Sequence, residues 1–383
     1  MTVMEAMRRV TAQPLGEAEA LPFDAYRDPD YFDVEQRAVF ARDWVFACMA
    51  ADLPEPGDYH ALQIADEPVI VMRGADGELR ALSNVCRHRG AVMLEGSGRI
   101  KKRIVCPYHA WAYSDAGALK GVPFPGEVEV DKQSHGLRRF KLGVWCGLVF
   151  VSLNDDAPAL EDRFRGLERY FGDYRVETYT HTMPIQVTPW RANWKLAIEN
   201  FVEGYHFFAV HRKTVETAAP TRDCFYVEGN ADWSVTGGTQ LAYGSSFIDL
   251  LRLKSPKVHY LSIHVPPNLV VNLYEGYMGW MRVLPTGPTA CETAGGFCAV
   301  DGRTSLASRV AGWLFDFDAR ISAEDRAICE NVQRGIRSTR GKGGRLVELE
   351  RAVVNFHQYL GKRLFDLDHS THFRTEYADR MSG

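Results

Sequence analysis

The sequence predicts an α+β protein of two domains, a small antiparallel β domain followed by a larger one that mixes longer helices with antiparallel strands. Three observations lead there. The chain has 383 residues, enough for two domains. From Gly57 to about Asn154, short alternating or apolar runs are separated by turn signals, the texture of strands and hairpins. After Asp155, apolar residues recur at helical spacing, and a strand-like block at 226–284 lies between the helical stretches,. The expected division is an N-terminal segment, 1–40, packing with the second domain, a β domain at 41–155, and a second domain at 156–383.

The N-terminal segment begins irregular and ends in a predicted helix from about Asp33 to Trp44. His60–Ile64 and Pro68–Arg73 read as strands, and Ala75-Asp76-Gly77 is a hairpin turn from which Glu78–Ser83 returns into Cys86-Arg87-His88,. Ile104-Val105 is a short strand that feeds Cys106-Pro107-Tyr108-His109, and Asp115-Ala116-Gly117 marks another hairpin. The apolar run Leu142–Leu153 is Gly-interrupted and β-branched, which predicts buried strands. Pro158–Tyr174 predicts a helix. In Ala192–Phe208, Trp194, Ile198, Phe201, Tyr205 and Phe208 form one apolar stripe,. A helical stretch follows from about Thr304 to Ser338, with a break near Arg320–Ser322, and a last helix spans about Leu346–Leu364.

Composition narrows the function. A hydrophobic content of 46% and a charged content of 25% are ordinary for a globular protein,. A formal net charge of −4 argues against a nucleic-acid partner, which calls for a basic footprint. No apolar run is long enough to span a bilayer, and no secretory signal is evident, so no membrane role is expected. The eight Cys are irregularly spaced outside the Cys86/Cys106 pair. That pattern predicts free thiols and a reducing, cytoplasmic setting.

Two constellations carry chemistry. Cys86, His88, Cys106 and His109 offer two thiolates and two imidazoles from two short loops at strand ends, the donor set of a Rieske [2Fe–2S] cluster. A structural zinc site is the alternative, although Cys86-x-His88 is tighter than the usual zinc spacing. Glu199, Glu203 and His206 fall on one face of the predicted helix, and His211 follows five residues after His206. The helix must end or distort between the two His if both are to reach one metal. Two His and a carboxylate are the ligands of an oxygen-activating Fe(II) site. Asp325 is the candidate carboxylate, with Asp316 and Asp318 as alternatives. Ser322-Ala323-Glu324-Asp325 also reads as a helix N-terminus with Ser322 as its cap.

These strings resemble the Rieske non-haem iron oxygenases. Cys86-Arg87-His88-Arg89-Gly90 and Cys106-Pro107-Tyr108-His109-Ala110-Trp111 look like the family's cluster loops, with Ala110 where Gly is usual. Asn193-Trp194-Lys195, Glu199-Asn200-Phe201, Glu203-Gly204-Tyr205-His206 and His211 look like its catalytic-iron motif, and Glu324-Asp325 with Glu330-Asn331-Val332-Gln333 like its late acidic motif. The resemblance implies that Cys86 and Cys106 hold one cluster iron and His88 and His109 the other. It implies that His206, His211 and Asp325 bind mononuclear Fe(II), with O₂ as co-substrate. Glu203, commonly Asp in the family, would bridge electrons to a neighbouring subunit's cluster. Asn200 would support the ligands from behind, and Tyr205 would line the pocket. The implied architecture is a helix-grip catalytic domain beside the Rieske domain, and the implied assembly a head-to-tail homotrimer. No Gly-x-Gly-x-x-Gly follows a strand and no four-Cys ferredoxin pattern occurs,. A separate NAD(P)H-dependent reductase is therefore expected, directly or through a ferredoxin. Arg87, Arg89, Lys101, Lys102 and Arg103 offer a docking patch for it, or simply a solvated basic face.

The substrate is expected to be a small molecule. Gly344-Arg345-Leu346, Glu350 and Phe356-His357-Gln358-Tyr359-Leu360 resemble the branch acting on betaines and related quaternary ammonium or N-methyl compounds. Tyr205, Tyr243, Phe247, His264, Asn268, Tyr274, Tyr277 and Trp280 are candidate walls, and aromatic faces attract a cation. An aromatic acid or ring is the competing class, with Arg252 or Arg282 as its anchor. An electron carrier using the cluster alone is a distant alternative.

Overall fold

In the computed structural model, the described residues are all but 177–178, 183–184, 240–258, 275–276, 301–305, 370–371 and 381–383, and side chains are described for all of them except 180–181, 218, 259, 300, 306–318 and 379–380. The chain forms two compact units, Gln36–Asp162 and a discontinuous one made of Met1–Glu35 with Arg163–Gly383. Antiparallel sheets with helices make the class α+β.

The smaller unit is built on β1 (Val45–Met49), β2 (Asp58–Ile64), β3 (Glu67–Arg73), β4 (Leu79–Ser83), β5 (Ser97–Arg99), β9 (Arg139–Trp145) and β10 (Leu148–Ser152), in the order β1-β10-β9-β4-β3-β2-β5. A second, three-stranded sheet joins β6 (Ile104–Val105), β7 (Ala112–Tyr113) and β8 (Leu119–Gly121). The turn at Ala75-Asp76-Gly77 closes β3 onto β4, with Gly77 at φ +85°. Cys146-Gly147, both at positive φ, closes β9 onto β10, as a two-residue hairpin loop requires. Of the expected buried run, β10 is buried throughout, whereas β9 is mostly half-buried.

The larger unit carries a nine-stranded antiparallel sheet. Its strands are β11 (Tyr179–Thr182), β12 (Gln186–Trp190), β13 (Cys224–Gly229), β14 (Ser234–Thr239), β15 (His259–Val265), β16 (Leu269–Tyr274), β17 (Tyr277–Gly287), β18 (Ala290–Val300) and β19 (Phe373–Arg374). The helix Trp194–Phe201 lies against β17 and β18, and the long helix Leu306–Gly335 packs on it. The N-terminal helix Val3–Thr11 packs on the last long helix, Arg351–Phe365, and Glu19 bridges to Arg345. Deeper in, Glu35 pairs with Lys195, both side chains fully buried, at 2.8 Å.

Several helix boundaries differ from expectation. The helix expected at 33–44 runs Pro29–Glu35 and finishes as a wider turn over Gln36–Phe40, with the Ala41 amide donating to Gln36 O. Pro158–Tyr174 is two short helices, Leu160–Arg163 and Glu168–Asp173, interrupted where Gly166 adopts φ +94°. The long helix is continuous through Arg320–Ser322. Ser322 is therefore mid-helix and caps nothing.

Candidate active site

The two Cys–His loops, at Cys86–His88 and Cys106–His109, are congruent turns. The Cys86 amide donates to Ala91 O at 2.9 Å and the Cys106 amide to Trp111 O at 2.8 Å. The Gly90 and Ala110 amides then return to Cys86 O and Cys106 O, each at 3.0 Å. Each turn needs a left-handed residue at its fifth position, supplied by Gly90 at φ +76° and Ala110 at φ +56°. Cys86 and Cys106 are buried, and the His88 and His109 rings meet edge to face at 4.7 Å. His109 Nδ1 is buried without a hydrogen-bond partner, while its Nε2 faces Arg89 at 3.0 Å. Tyr113 Oη accepts from the Arg87 amide at 3.0 Å and lies 3.4 Å from Cys86 Sγ. Its proton is left free to donate to the sulfur. Arg87, Lys101, Lys102 and Arg103 are exposed on the same unit. Arg89 also lies over the Tyr108 ring.

The second set is assembled by a broken helix. Asn193 caps Trp194–Phe201, its side chain accepting from the Lys195 amide. The helix stops at Phe201, before His206 rather than between the two His as expected. Two causes converge. The Glu203 carboxylate accepts from the Tyr205 and His206 amides, a local alternative to helical pairing. Gly204 lies so close to Cys224 that an added Cβ would stand 2.6 Å from Sγ. Glu199, Glu203 and His206 therefore do not share a continuous helical face. Glu199 instead accepts from Tyr26 Oη at 2.8 Å and pairs with His357 Nε2 at 2.9 Å.

His206 and His211 flank the short helix Phe207–Val210. Their Nε2 atoms lie 3.2 Å apart. Asp325, in the C-terminal half of Leu306–Gly335, brings Oδ1 to 2.9 Å from His211 Nε2 and 3.4 Å from His206 Nε2. The three ligand atoms fall within 4.8 Å of one another. Glu203 Oε1 holds His206 Nδ1 at 2.6 Å. Burial pushes the His206 imidazole down, but hydrogen bonds to Asp325 and Glu203 outweigh it and carry it up to about 9. His211 is raised in the same way, burial being outweighed by Asp325 and Glu324. Burial raises the Asp325 carboxyl, yet hydrogen bonds from the two His bring it below the usual range. Metal binding at such a set expels protons.

Two domain families match the chain, "Ring hydroxylating alpha subunit (catalytic domain)" over residues 171–365 and "Rieske [2Fe-2S] domain" over residues 43–134. The first covers about half of the chain. The chain belongs to the Rieske ring-hydroxylating oxygenase alpha subunits. It is 36% identical over 212 residues to the glycine betaine monooxygenase oxygenase subunit of Chromohalobacter salexigens, a match covering 54% of this chain and 47% of that one. The chain thus spans about half the length of that relative. It is 27% identical over 337 residues to the carnitine monooxygenase oxygenase subunit of Acinetobacter baumannii, covering 87% of this chain and 90% of that one. A quaternary ammonium Rieske monooxygenase structure shares the fold, with TM-score 0.80, 23% identity, and 93% and 98% of the two chains covered.

The cofactors of this Rieske oxygenase alpha subunit are a [2Fe–2S] cluster and mononuclear iron, and its residues fit both. Buried thiols with an orphaned imidazole nitrogen on the second loop suit the cluster,. The largely buried set of two imidazoles and one carboxylate at His206, His211 and Asp325 suits the iron,. Ala110 is the misfit, because a left-handed non-Gly residue costs about 1–2 kcal/mol. Ala110→Gly is expected to stabilise the cluster-bearing unit by about 1 kcal/mol in thermal melts followed at the cluster's visible band, with the band itself unchanged.

Of the other expected site residues, Asn200 is half-buried, its Oδ1 buried without a partner. It shares with Glu203, Glu199, Glu350 and His357 a cavity of about 210 Å³. Tyr205 is 42% exposed, with its ring near Phe208. His264 is buried against Phe356, and burial, helped by Arg163, pushes it down to about 3. Asn268 and Trp280 are buried in the sheet unit. Tyr274 and Tyr277 stack at 4.5 Å, with Tyr260 next to Tyr274 at 6.0 Å. Tyr243, Phe247 and Arg252 lie outside the described residues, as do the side chains of Asp316 and Asp318. Sequence reasoning missed Glu324, whose Oε2 meets His211 Nδ1 at 2.6 Å. Its one signal was a second acid directly beside the predicted ligand.

Proposed function

We propose that this chain is the terminal oxygenase component of a system that hydroxylates or N-demethylates a small quaternary ammonium or N-methyl compound. The observation that carries the reading is the convergence of His206, His211 and Asp325 in a chain that also contains a Rieske domain. When bound, the cluster passes single electrons and the mononuclear iron binds and activates O₂. The balanced change is R–H + O₂ + 2e⁻ + 2H⁺ → R–OH + H₂O. On an N-methyl group the product is N–CH₂OH, which releases formaldehyde and leaves the demethylated amine.

The chain's own residues have distinct tasks. Glu203 accepts the Nδ1 proton of His206, so that Nε2 presents its lone pair to the metal. We assign it the further role of bridging to a cluster ligand of a neighbouring copy in a head-to-tail homotrimer, because it also lines an open cavity. Asn200 supports it there. A separate NAD(P)H-oxidising reductase, acting directly or through a ferredoxin, supplies the electrons. Among the described residues no helix is long and apolar enough to cross a membrane, and we place the system in the cytoplasm.

The relatives named for glycine betaine and carnitine support an ammonium substrate. A ring or aromatic-acid substrate is the second reading, favoured by 35% identity over 202 residues to the anthranilate 1,2-dioxygenase large subunit of Acinetobacter baylyi. Against it, Arg282 is buried and already paired with Glu292 at 3.4 Å.

Single turnover decides between them. The reduced, iron-replete protein is mixed with O₂ and a panel of betaines and aromatic acids, and products are identified by mass spectrometry. Formaldehyde release with one ammonium compound supports the proposal. A ring-hydroxylated product replaces the substrate class, and substrate-independent reoxidation in a protein that holds no second iron removes the oxygenase reading in favour of an electron carrier. In the same assay Glu203→Gln is expected to keep both iron sites, because its amide oxygen still accepts from His206 Nδ1–H, and to slow substrate-dependent cluster reoxidation by about 10–100-fold. Wild-type reoxidation would end its assignment as the bridge.

A further inference from the structure

His211 is gripped on both edges by consecutive acids of one helix. Asp325 Oδ1 stands 2.9 Å from Nε2, and Glu324 Oε2 stands 2.6 Å from Nδ1. Successive helical positions diverge by about 100°, so a single stretch of Leu306–Gly335 reaches around the ring. Thr214 completes the arrangement. Its amide donates to His211 O at 3.0 Å, and its hydroxyl donates to the same Glu324 oxygen at 2.7 Å. His211 and Thr214 are buried, whereas the Glu324 side chain keeps 33% exposure. The hydroxyl thus fixes a carboxylate that solvent would otherwise draw away.

We infer that Glu324, held by Thr214, is a positioning residue that builds the iron site through His211. The inference rests on the reading of His206, His211 and Asp325 as the iron ligands. Nδ1 carries the proton and donates it to Glu324, so Nε2 faces the other two ligands with its lone pair. A ring with the opposite tautomer, or one rotated away, presents no donor there. The two imidazoles therefore have separate carboxylate partners, Glu203 on His206 and Glu324 on His211. Their duties differ with their locations. Glu203 lines the cavity beside the broken helix. Glu324 belongs to the helix that also supplies Asp325, so one rigid element sets the ligand and the orientation of its neighbour together. Glu324 is accordingly a determinant of metal retention, and Glu203 of electron supply. An incidental ion pair at a one-third-exposed carboxylate would contribute little and would leave metal affinity untouched.

The test is chelator competition on the iron-replete protein, with the cluster's visible band and the thermal transition as controls for folding. Glu324→Ala is expected to weaken mononuclear iron binding about 10–100-fold, with the cluster band unchanged. Glu324→Gln should recover part of the loss, because its amide oxygen still accepts from Nδ1–H. Thr214→Val should weaken binding severalfold, and Thr214→Ser should restore it. An Ala variant that binds iron as tightly as the wild type, or a Gln variant no better than Ala, overturns the inference. Asp325→Ala run in parallel separates the two levels. If it too keeps its iron, the ligand reading has failed rather than the role of Glu324. Glu203→Gln provides the opposite pattern, with iron retained and electron delivery lost.

Discussion

Replacing Asp325 by Ala empties the mononuclear iron site and leaves the Rieske cluster in place: that is the largest functional effect expected of any single change. Asp325 is 5% exposed and is the only carboxylate whose oxygen approaches both His206 Nε2 and His211 Nε2 among the described residues. Without it the site keeps two neutral donors and loses the anion that offsets the metal's charge. Removing a residue that merely orients a ligand typically costs 10–100-fold in metal affinity, so loss of the ligand itself should cost well over about 100-fold. The measurement is iron content after mild chelation, set against absorbance at the cluster band, with turnover in the same samples. Asp325→Asn separates charge from shape, because it preserves the volume and one oxygen but not the anion. Full iron retention in both variants would move the ligand role to another acid, with Asp316 and Asp318 on the same helix the first to try.

The largest expected effect on stability lies elsewhere, at Lys195. This side chain is completely buried, pairs with a completely buried Glu35 at 2.8 Å, and sits 5.3–5.5 Å from the rings of Tyr26, Tyr31 and Trp194. Trp194 Nε1 donates to the same carboxylate at 3.1 Å. Lys195→Met strands a carboxylate in an apolar setting and is expected to cost about 3–5 kcal/mol at neutral pH, read by denaturant unfolding. Burial already holds the Glu35 carboxyl above its ordinary value, against the pull of Lys195. Removing Lys195 raises it further. A carboxyl raised in the folded state binds its proton more readily there than in the unfolded chain. Its stabilising share is therefore complete at pH below the ordinary value and is lost as pH climbs through the raised one. The deficit of the variant should accordingly shrink in mild acid. Glu35→Leu combined with Lys195→Met is expected to regain most of the loss, since an apolar replacement of both partners removes the desolvation cost. A double variant no more stable than the single one would show that the pair stabilises by more than mutual neutralisation.

Much of this was legible in the sequence because the chemistry demands particular residue types at short separation. The cluster loops, each only a few residues long, carry two donors apiece, and their flanking hairpins are written in Asp-Gly and Ala-Gly turns. His206 and His211 could be proposed for the same reason. What escaped depends on contacts distant in sequence. The Ala192–Phe208 stripe has unbroken helical periodicity, yet Cys224, from another strand, crowds Gly204 and helps end the helix at Phe201. Ser322 looked like a cap because Ser-x-x-acid is a local signal, whereas packing against Trp194–Phe201 keeps the long helix continuous through it. Glu324 is invisible as a partner of His211 because 113 residues separate them. Glu199 was placed on one helical face with Glu203 and His206 by spacing alone, and its partners, Tyr26 and His357, lie 173 residues before it and 158 after it.

The discontinuity of the larger unit imposes an order on synthesis. Residues 36–162 form a unit complete in sequence, able to close as soon as its last strand leaves the ribosome. The first 35 residues cannot settle then, since Glu35 needs Lys195, Tyr26 needs Glu199, and the helix Val3–Thr11 needs Arg351–Phe365. At 5–20 residues per second, the remainder takes roughly 10–40 s to emerge. Through that interval the leading segment waits in solvent, its carboxylate hydrated and its apolar face uncovered. The unit that carries the Cys86 and Cys106 loops is thus complete in sequence before the unit that carries His206, His211 and Asp325.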